Sequence, residues 1–269
     1  MNRIVLLSAA LLLLIASACK KDKSVHTPTC RLTTIQTNFD TSNVTYNTNG
    51  VVTSYGSLAM GLYTFLYSGL TASDSVETSS EKKLDCNISL DAKGRVTYMN
   101  RTTQFFGTSY YYTFNFQYNA DGYVSLCEQI YTNSGNTQVD YYKDSMVYNN
   151  GNLATKYTFT RTESTPYVLS SRTECTYSSD LNKIGFYAYY LIEEPISVTN
   201  GWAAFYHLFG KGPVNLPLKT TLYSSTGDVT YVLDYTYLMD ENGYPTEENI
   251  VRSILSPYSF NRKYSYSCE

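Results

Sequence analysis

The sequence predicts an all-β protein: one antiparallel meander of about 12–14 strands, curled into a curved sheet or half-open barrel, with one short helix near residues 200–209. Three observations lead there. Residues alternate at period two, as in Tyr110, Tyr112, Phe114, Phe116 and Tyr118 on one face against Tyr111, Thr113, Asn115 and Gln117 on the other. The same alternation runs through Val229–Met239 and through Leu153, Thr155, Tyr157 and Phe159. The composition fits strands, with 29 tyrosines and 15% aromatic residues, whereas charged residues reach only 16% against about 25% in ordinary soluble domains. The third observation is a turn pattern that recurs along the chain.

That pattern is an aromatic or aliphatic residue, three polar residues, a glycine, and then a short apolar alternation. It appears as YNTNGVVT at Gly50, LDAKGRVT at Gly94, YNADGYVS at Gly122, YSSTGDVT at Gly227 and MDENGYPT at Gly243. YNNGNLAT, with Gly151 one place early, and YSSDLNKI, with Asn182 in place of glycine, are variants. A type I turn that closes a hairpin needs a left-handed residue after it, and glycine or asparagine reaches positive φ at least cost. Seven turns imply around fourteen strands, too many to stay flat and open. Gly94, Gly122 and Gly151 are spaced 28 and 29 residues apart, which suggests a two-hairpin or long-strand unit, and the longer gaps at either side should hold extra strands or an insertion.

The segments LDAKGRVTYM and YNADGYVS resemble the YD repeat of RHS-type proteins. Together with the leader described next, the chain is similar to small YD-repeat lipoproteins of the Bacteroidota. That resemblance implies an antiparallel, strongly curved or barrel-like sheet and transfers no catalytic residue.

Residues 1–18 read as a secretory leader, with Arg3, an apolar run from Ile4 to Ile15 too short to span a bilayer, and the small residues Ala16-Ser17-Ala18. Cys19 follows, so the segment resembles the lipobox of bacterial lipoproteins, departing from it at Ala16 where leucine is usual. The resemblance implies lipidation at Cys19 and an outer-membrane lipoprotein, with the periplasmic or surface face undecided. Residues 19–29, polar and aperiodic, form a flexible tether, and 31–269 form a single β domain.

Within 185–222 the hairpin pattern lapses. Trp202, Phe205, Tyr206 and Phe209 fall at i, i+3, i+4 and i+7, Thr199 or Asn200 can cap the start, and Gly210 can end the helix. Because this segment departs from the regular scaffold, Trp202, Phe205 and Tyr206 are the ligand-binding candidates, covering a mouth of the sheet or plugging it. Apart from Cys19, five cysteines remain, and an odd number leaves at least one unpaired. Cys30 and Cys268 begin and end the ordered region and are the disulfide candidate, the alternative being five small buried thiols.

No nucleophile motif, zinc motif or phosphate loop is present, and the two histidines give little raw material for catalysis. A formal net charge of −3 offers no basic field for nucleic acid. No metal or cofactor is expected, nor is an enzyme. The expected function is a non-enzymatic binding or scaffold module held to the membrane by its anchor, with a glycan, peptide or lipid ligand. The alternatives are a lipid carrier in envelope biogenesis and an unrecognised glycan-active enzyme. A lumen lined by Tyr with Asn, Gln and Thr favours a polar ligand, and one lined by Leu, Ile, Phe and Met alone favours an acyl chain.

Overall fold

A computed structural model describes residues 30–37, 41–57, 61–69, 71–77, 82–105, 108–134, 136–184, 208–254 and 258–268. The strands are β1 (Cys30–Thr37), β2 (Thr41–Tyr46), β3 (Val52–Ser57), β4 (Gly61–Ser68), β5 (Thr71–Glu77), β6 (Lys82–Leu90), β7 (Val96–Phe105) and β8 (Thr108–Tyr118). They continue as β9 (Val124–Asn133), β10 (Asn136–Asn149), β11 (Asn152–Arg161), β12 (Val168–Leu181), β13 (Asn215–Ser224), β14 (Val229–Met239), β15 (Pro245–Ser253) and β16 (Tyr258–Cys268). Every strand pairs antiparallel with its sequence neighbours, and β1 pairs with β16, so the sheet is a closed barrel of 16 strands.

The expectation of 12–14 strands and a half-open barrel is corrected on both points. Counting glycine turns misses the hairpin at Gly69, so the stretch from Gly50 to Gly94 holds four strands, β3 to β6. Closure rests on a pairing between chain ends, Cys30↔Cys268 through Thr37↔Arg262, which no local pattern announces. It removes the two free edges that an open sheet of this length would expose. Cys30 and Cys268 are joined by a disulfide across the seam, with Cα atoms 4.0 Å apart. Cys30 is the first residue of β1, and Cys30–Cys268 is one compact unit.

The recurrent motif can now be assigned atom by atom. Its second residue accepts backbone hydrogens across the turn through a side-chain oxygen: Asn47 from Asn49 and Val51, Asp91 from Lys93 and Arg95, Asn119 from Tyr123, and Asp240 from Asn242 and Tyr244. The glycine takes positive φ, 75° at Gly94 for example. Next comes a β-bulge at the final Thr or Ser: in the Gly94 hairpin Leu90 pairs with Val96 and Ser89 with Tyr98, so Thr97 is the extra residue. The final hydroxyl then donates to the partner strand, as Thr97 to the Ser89 carbonyl, Ser125 to Gln117, Thr230 to Leu222 and Thr246 to Leu238.

Side chains alternate across the wall. Inward positions include Val44, Phe65, Ile88, Met99, Phe114, Phe116, Leu153, Leu233 and Ile250, all buried and forming one apolar cluster. Outward positions are largely polar: Asn115 and Gln117 on β8, Glu128 on β9, Lys143 and Ser145 on β10, Arg172 and Glu174 on β12, Lys219 on β13, Asp234 on β14 and Glu247 on β15. The exposed apolar residues include Leu66, Tyr111, Val147, Leu218 and Val251 on five separate strands, with Val168 and Leu169 at the start of β12 and Leu238 and Met239 at the end of β14.

Candidate functional site: the lumen and its two rims

Both chain ends emerge at one rim, which also carries the turns at Gly50, Gly69, Gly94, Gly122, Gly151 and Gly243; call it the terminal rim. Gly227 differs, closing the β13–β14 hairpin at the far rim. The two rims are finished in different ways.

At the terminal rim, tyrosines near the ends of even-numbered strands point inward and donate their hydroxyls to backbone carbonyls on the preceding strand. The pairs are Tyr46 to Leu32 (2.8 Å), Tyr67 to Val52 (3.0 Å), Tyr118 to Val96 (2.7 Å), Tyr177 to Leu153 (3.0 Å) and Tyr266 to Pro245 (2.8 Å). All five carbonyls, those of Leu32, Val52, Val96, Leu153 and Pro245, belong to residues at register shifts, where the ladder is interrupted. Burial pushes all five phenols above the ordinary tyrosine range, so they remain donors. The first residue of the motif in YNTNG and YNADG is therefore a structural tyrosine.

Residues 208–214 fold across the same rim. Leu208 is buried at 4% and Phe209 at 0% exposure within the apolar cluster, and the Phe209 ring lies 5.0 Å from that of Phe116. The Lys211 amide donates to the Gly122 carbonyl and the Val214 amide to Gly151, which ties the segment to two successive turns. Gly210 has φ of 75°, and a Cβ there would stand 2.6 Å from the Gly122 carbonyl oxygen, so no other residue fits this approach. The Lys211 ammonium sits 5.7 Å from the Tyr123 ring, and Arg95 stacks 4.1 Å from Tyr118.

The middle of the lumen holds two buried polar clusters. Glu248, 2% exposed, accepts from Tyr264 (2.6 Å), Arg262 (3.0 Å) and Tyr237 (3.3 Å). Asp144 accepts from Thr158 at 2.6 Å, with Lys156 buried nearby. Burial raises the Asp144 carboxyl above its usual range, and the Lys156 charge and the Thr158 bond oppose this. The thiols of Cys86, Cys127 and Cys175 are reduced and buried. Burial lifts Cys127 well above the normal thiol range and Cys175 to about 11, so neither is a nucleophile at neutral pH.

Toward the far rim, inward tyrosines become half-exposed. Tyr110 and Tyr131 stack with centroids 6.1 Å apart, and Tyr131 meets Tyr112 at 5.3 Å. Tyr142 faces the lumen opposite Gln129, and Asp140 faces it opposite Tyr131. Gln129 (5%) and Arg101 (3%, opposite Tyr112) are buried beside them. Among the described residues, these rings point inward and still meet solvent at this end.

Of the sequence candidates, the described residues include Cys30, Cys268 and the turn glycines. Cys19 and Trp202, Phe205 and Tyr206 lie outside the described residues, as do residues 200–207 of the expected helix. Its expected end, Leu208–Gly210, is irregular chain, and the described residues contain no helix. The inward tyrosines of β8–β10 were visible as an alternating stripe, but only closure turns that stripe into a lumen wall. On the outer wall, a depression of about 440 Å³ is lined by residues including Leu66, Thr71, Asn87 and Tyr98. Among the described residues no three His, Cys, Asp or Glu side chains gather as a metal site.

A scan against protein-family models finds no match, and a search of curated proteins finds none. Solved structures do match in fold. A porin-like protein from Bacteroides uniformis ATCC 8492 superimposes with a TM-score of 0.61 at 17% identity, covering 88% of this chain and 96% of that one. A porin-like protein from Bacteroides vulgatus ATCC 8482 gives a TM-score of 0.63 at 13% identity, covering 88% of this chain and 99% of that one.

Proposed function

We propose that this chain is a lipid-anchored cell-envelope protein whose barrel stands in water beside the membrane and acts as a non-enzymatic binding or scaffold module. The observation that carries this reading is the polarity of the wall. A barrel that crosses a bilayer presents an apolar band about 25 Å tall to lipid, and an outward Lys or Arg at the midplane costs roughly 2–4 kcal/mol. Here charge stands outward in mid-strand: Lys219 pairs with Asp234 at 3.3 Å between β13 and β14, and Arg172 with Glu174 at 3.2 Å on β12. Glu128 and Lys143 face outward from neighbouring strands, while Phe65, Met99, Phe114, Phe116, Leu153 and Leu233 point in.

The fold shared with porin-like proteins supports an envelope barrel, and the inverted faces argue against a membrane-spanning pore. Membrane attachment then falls to the lipobox-like segment at Cys19, which joins the barrel at its terminal rim through the tether. The YD-like turns fit the same group of envelope lipoproteins. The lipid-carrier alternative has weaker support, because Arg101, Asp144, Lys156 and Glu248 interrupt the lumen's apolar lining.

Fractionation of cells expressing the full chain tests this reading. The wild-type protein is expected in the membrane pellet, and Cys19→Ser in the detergent-free supernatant. A Cys19→Ser protein that stays in carbonate-washed membranes would mean that the barrel itself is embedded, which overturns the proposal.

A further inference from the structure

The tyrosines at the far rim point to a ligand. We propose that the far-rim half of the lumen binds a neutral oligosaccharide, stacked on Tyr110, Tyr112 and Tyr131 and hydrogen-bonded by Tyr142 and Asp140. This inference rests on the reading of the barrel as a binding module in water.

Geometry gives the first argument. Tyr110, Tyr131 and Tyr112 form a continuous run of rings with centroid spacings of 6.1 and 5.3 Å, spread over β8 and β9 on the inner wall. All three residues keep partial exposure, unlike Phe114 and Phe116 further down β8, which are buried. Flat aromatic faces that keep contact with water suit the C–H faces of pyranose rings, which are apolar above and below and polar at the edge.

The polar groups narrow the class. Asp140 stands opposite Tyr131 and Arg101 opposite Tyr112, so charges of opposite sign flank the rings and neither an anionic nor a cationic ligand is favoured. An acyl chain would take the half-buried Asp140 carboxylate out of water. A neutral ligand with several hydroxyls meets both conditions: it donates to Asp140 and accepts from Tyr142. Tyr142 remains a protonated donor, since burial and the nearby Asp140 both raise its phenol.

Access agrees with this placement. The opposite end of the lumen is filled by Leu208 and Phe209 and by the hydrogen-bonded tyrosines, so a ligand enters the described barrel from the far rim.

Isothermal titration of the Cys19→Ser protein with maltohexaose, cellohexaose, xylohexaose and chitohexaose tests the site, with dodecyl phosphate as the acyl-chain probe. At least one oligosaccharide is expected to bind. Tyr131→Ala should weaken that binding about tenfold or more, while Tyr131→Phe, which keeps the ring, should stay within roughly threefold. Tyr111→Ala, on the outer face of the same wall, should change nothing. If Tyr131→Ala does not fold, Tyr142→Ala takes its place with the same expectation. Binding of dodecyl phosphate alone, of no probe, or an equal loss for Tyr111→Ala overturns the site. Failure of the envelope reading is a separate result, seen as membrane retention of Cys19→Ser.

Discussion

The two rims of this barrel use the same residue for opposite ends. At the terminal rim, tyrosine is a structural part: Tyr46, Tyr67, Tyr118, Tyr177 and Tyr266 each deliver a hydroxyl to a backbone carbonyl, and their rings fill the lumen's mouth with Leu208 and Phe209. At the far rim, Tyr110, Tyr112 and Tyr131 meet one another ring to ring and keep contact with water. The difference follows from bulges. Each glycine turn of the recurrent motif inserts a bulge that takes a carbonyl out of the ladder, and a buried carbonyl needs a donor. Most of these turns lie at the terminal rim, so that rim has carbonyls for its tyrosines to satisfy. A tyrosine count alone therefore says nothing about binding, whereas a hydroxyl seated on a backbone carbonyl marks its ring as structural.

The strongest way to break the closed rim is to empty it. Phe209 is fully buried against Phe116, so Phe209→Ala removes a large ring from a filled mouth and should cost about 3–5 kcal/mol. Chemical denaturation of the Cys19→Ser protein measures this. A loss below about 1 kcal/mol would show that the segment merely rests on the rim.

The seam comes next. The Cys30–Cys268 bridge spans 238 residues at the terminal rim, and disulfides typically contribute about 2–4 kcal/mol. Reduction should lower the unfolding free energy by that amount while the barrel stays closed, because β1 and β16 also share a ladder from Leu32↔Tyr266 to Thr37↔Arg262. Circular dichroism that reports loss of strand on reduction alone would mean that the bridge, not the ladder, closes the sheet.

How much of this was legible in the sequence depends on range. Strand character and the turn positions were readable because they are local: the Tyr110–Tyr118 stripe, and glycines such as Gly94 that must take positive φ. The motif's final Thr or Ser looked like ordinary strand filler, although Thr97 and Ser125 mark the bulges by bonding eight residues back. Closure was not legible, since it depends on the match of Cys30–Thr37 to the chain's other end. The candidate site was legible only in part. The alternation showed which tyrosines share a face, but not that the face is a lumen, nor that Gln129 and Arg101, one inward residue each on β9 and β7, stand beside the rings.

The smallest effect sharpens the comparison most. Tyr118→Phe and Tyr131→Phe delete the same atom from the same residue type, one at each rim, and leave the rings in place. At the terminal rim the deletion leaves the Val96 carbonyl, which accepts from Tyr118 at 2.7 Å, without that donor in a buried setting, so the loss should be about 1–2 kcal/mol. At the far rim the Tyr131 hydroxyl lies where water reaches, and its removal should stay within about 0.5 kcal/mol. Paired urea denaturation curves give the difference directly. Equal losses would mean that the far-rim tyrosines are as structural as those of the terminal rim, and the contrast between a closed end and a ligand-facing end would fall with it.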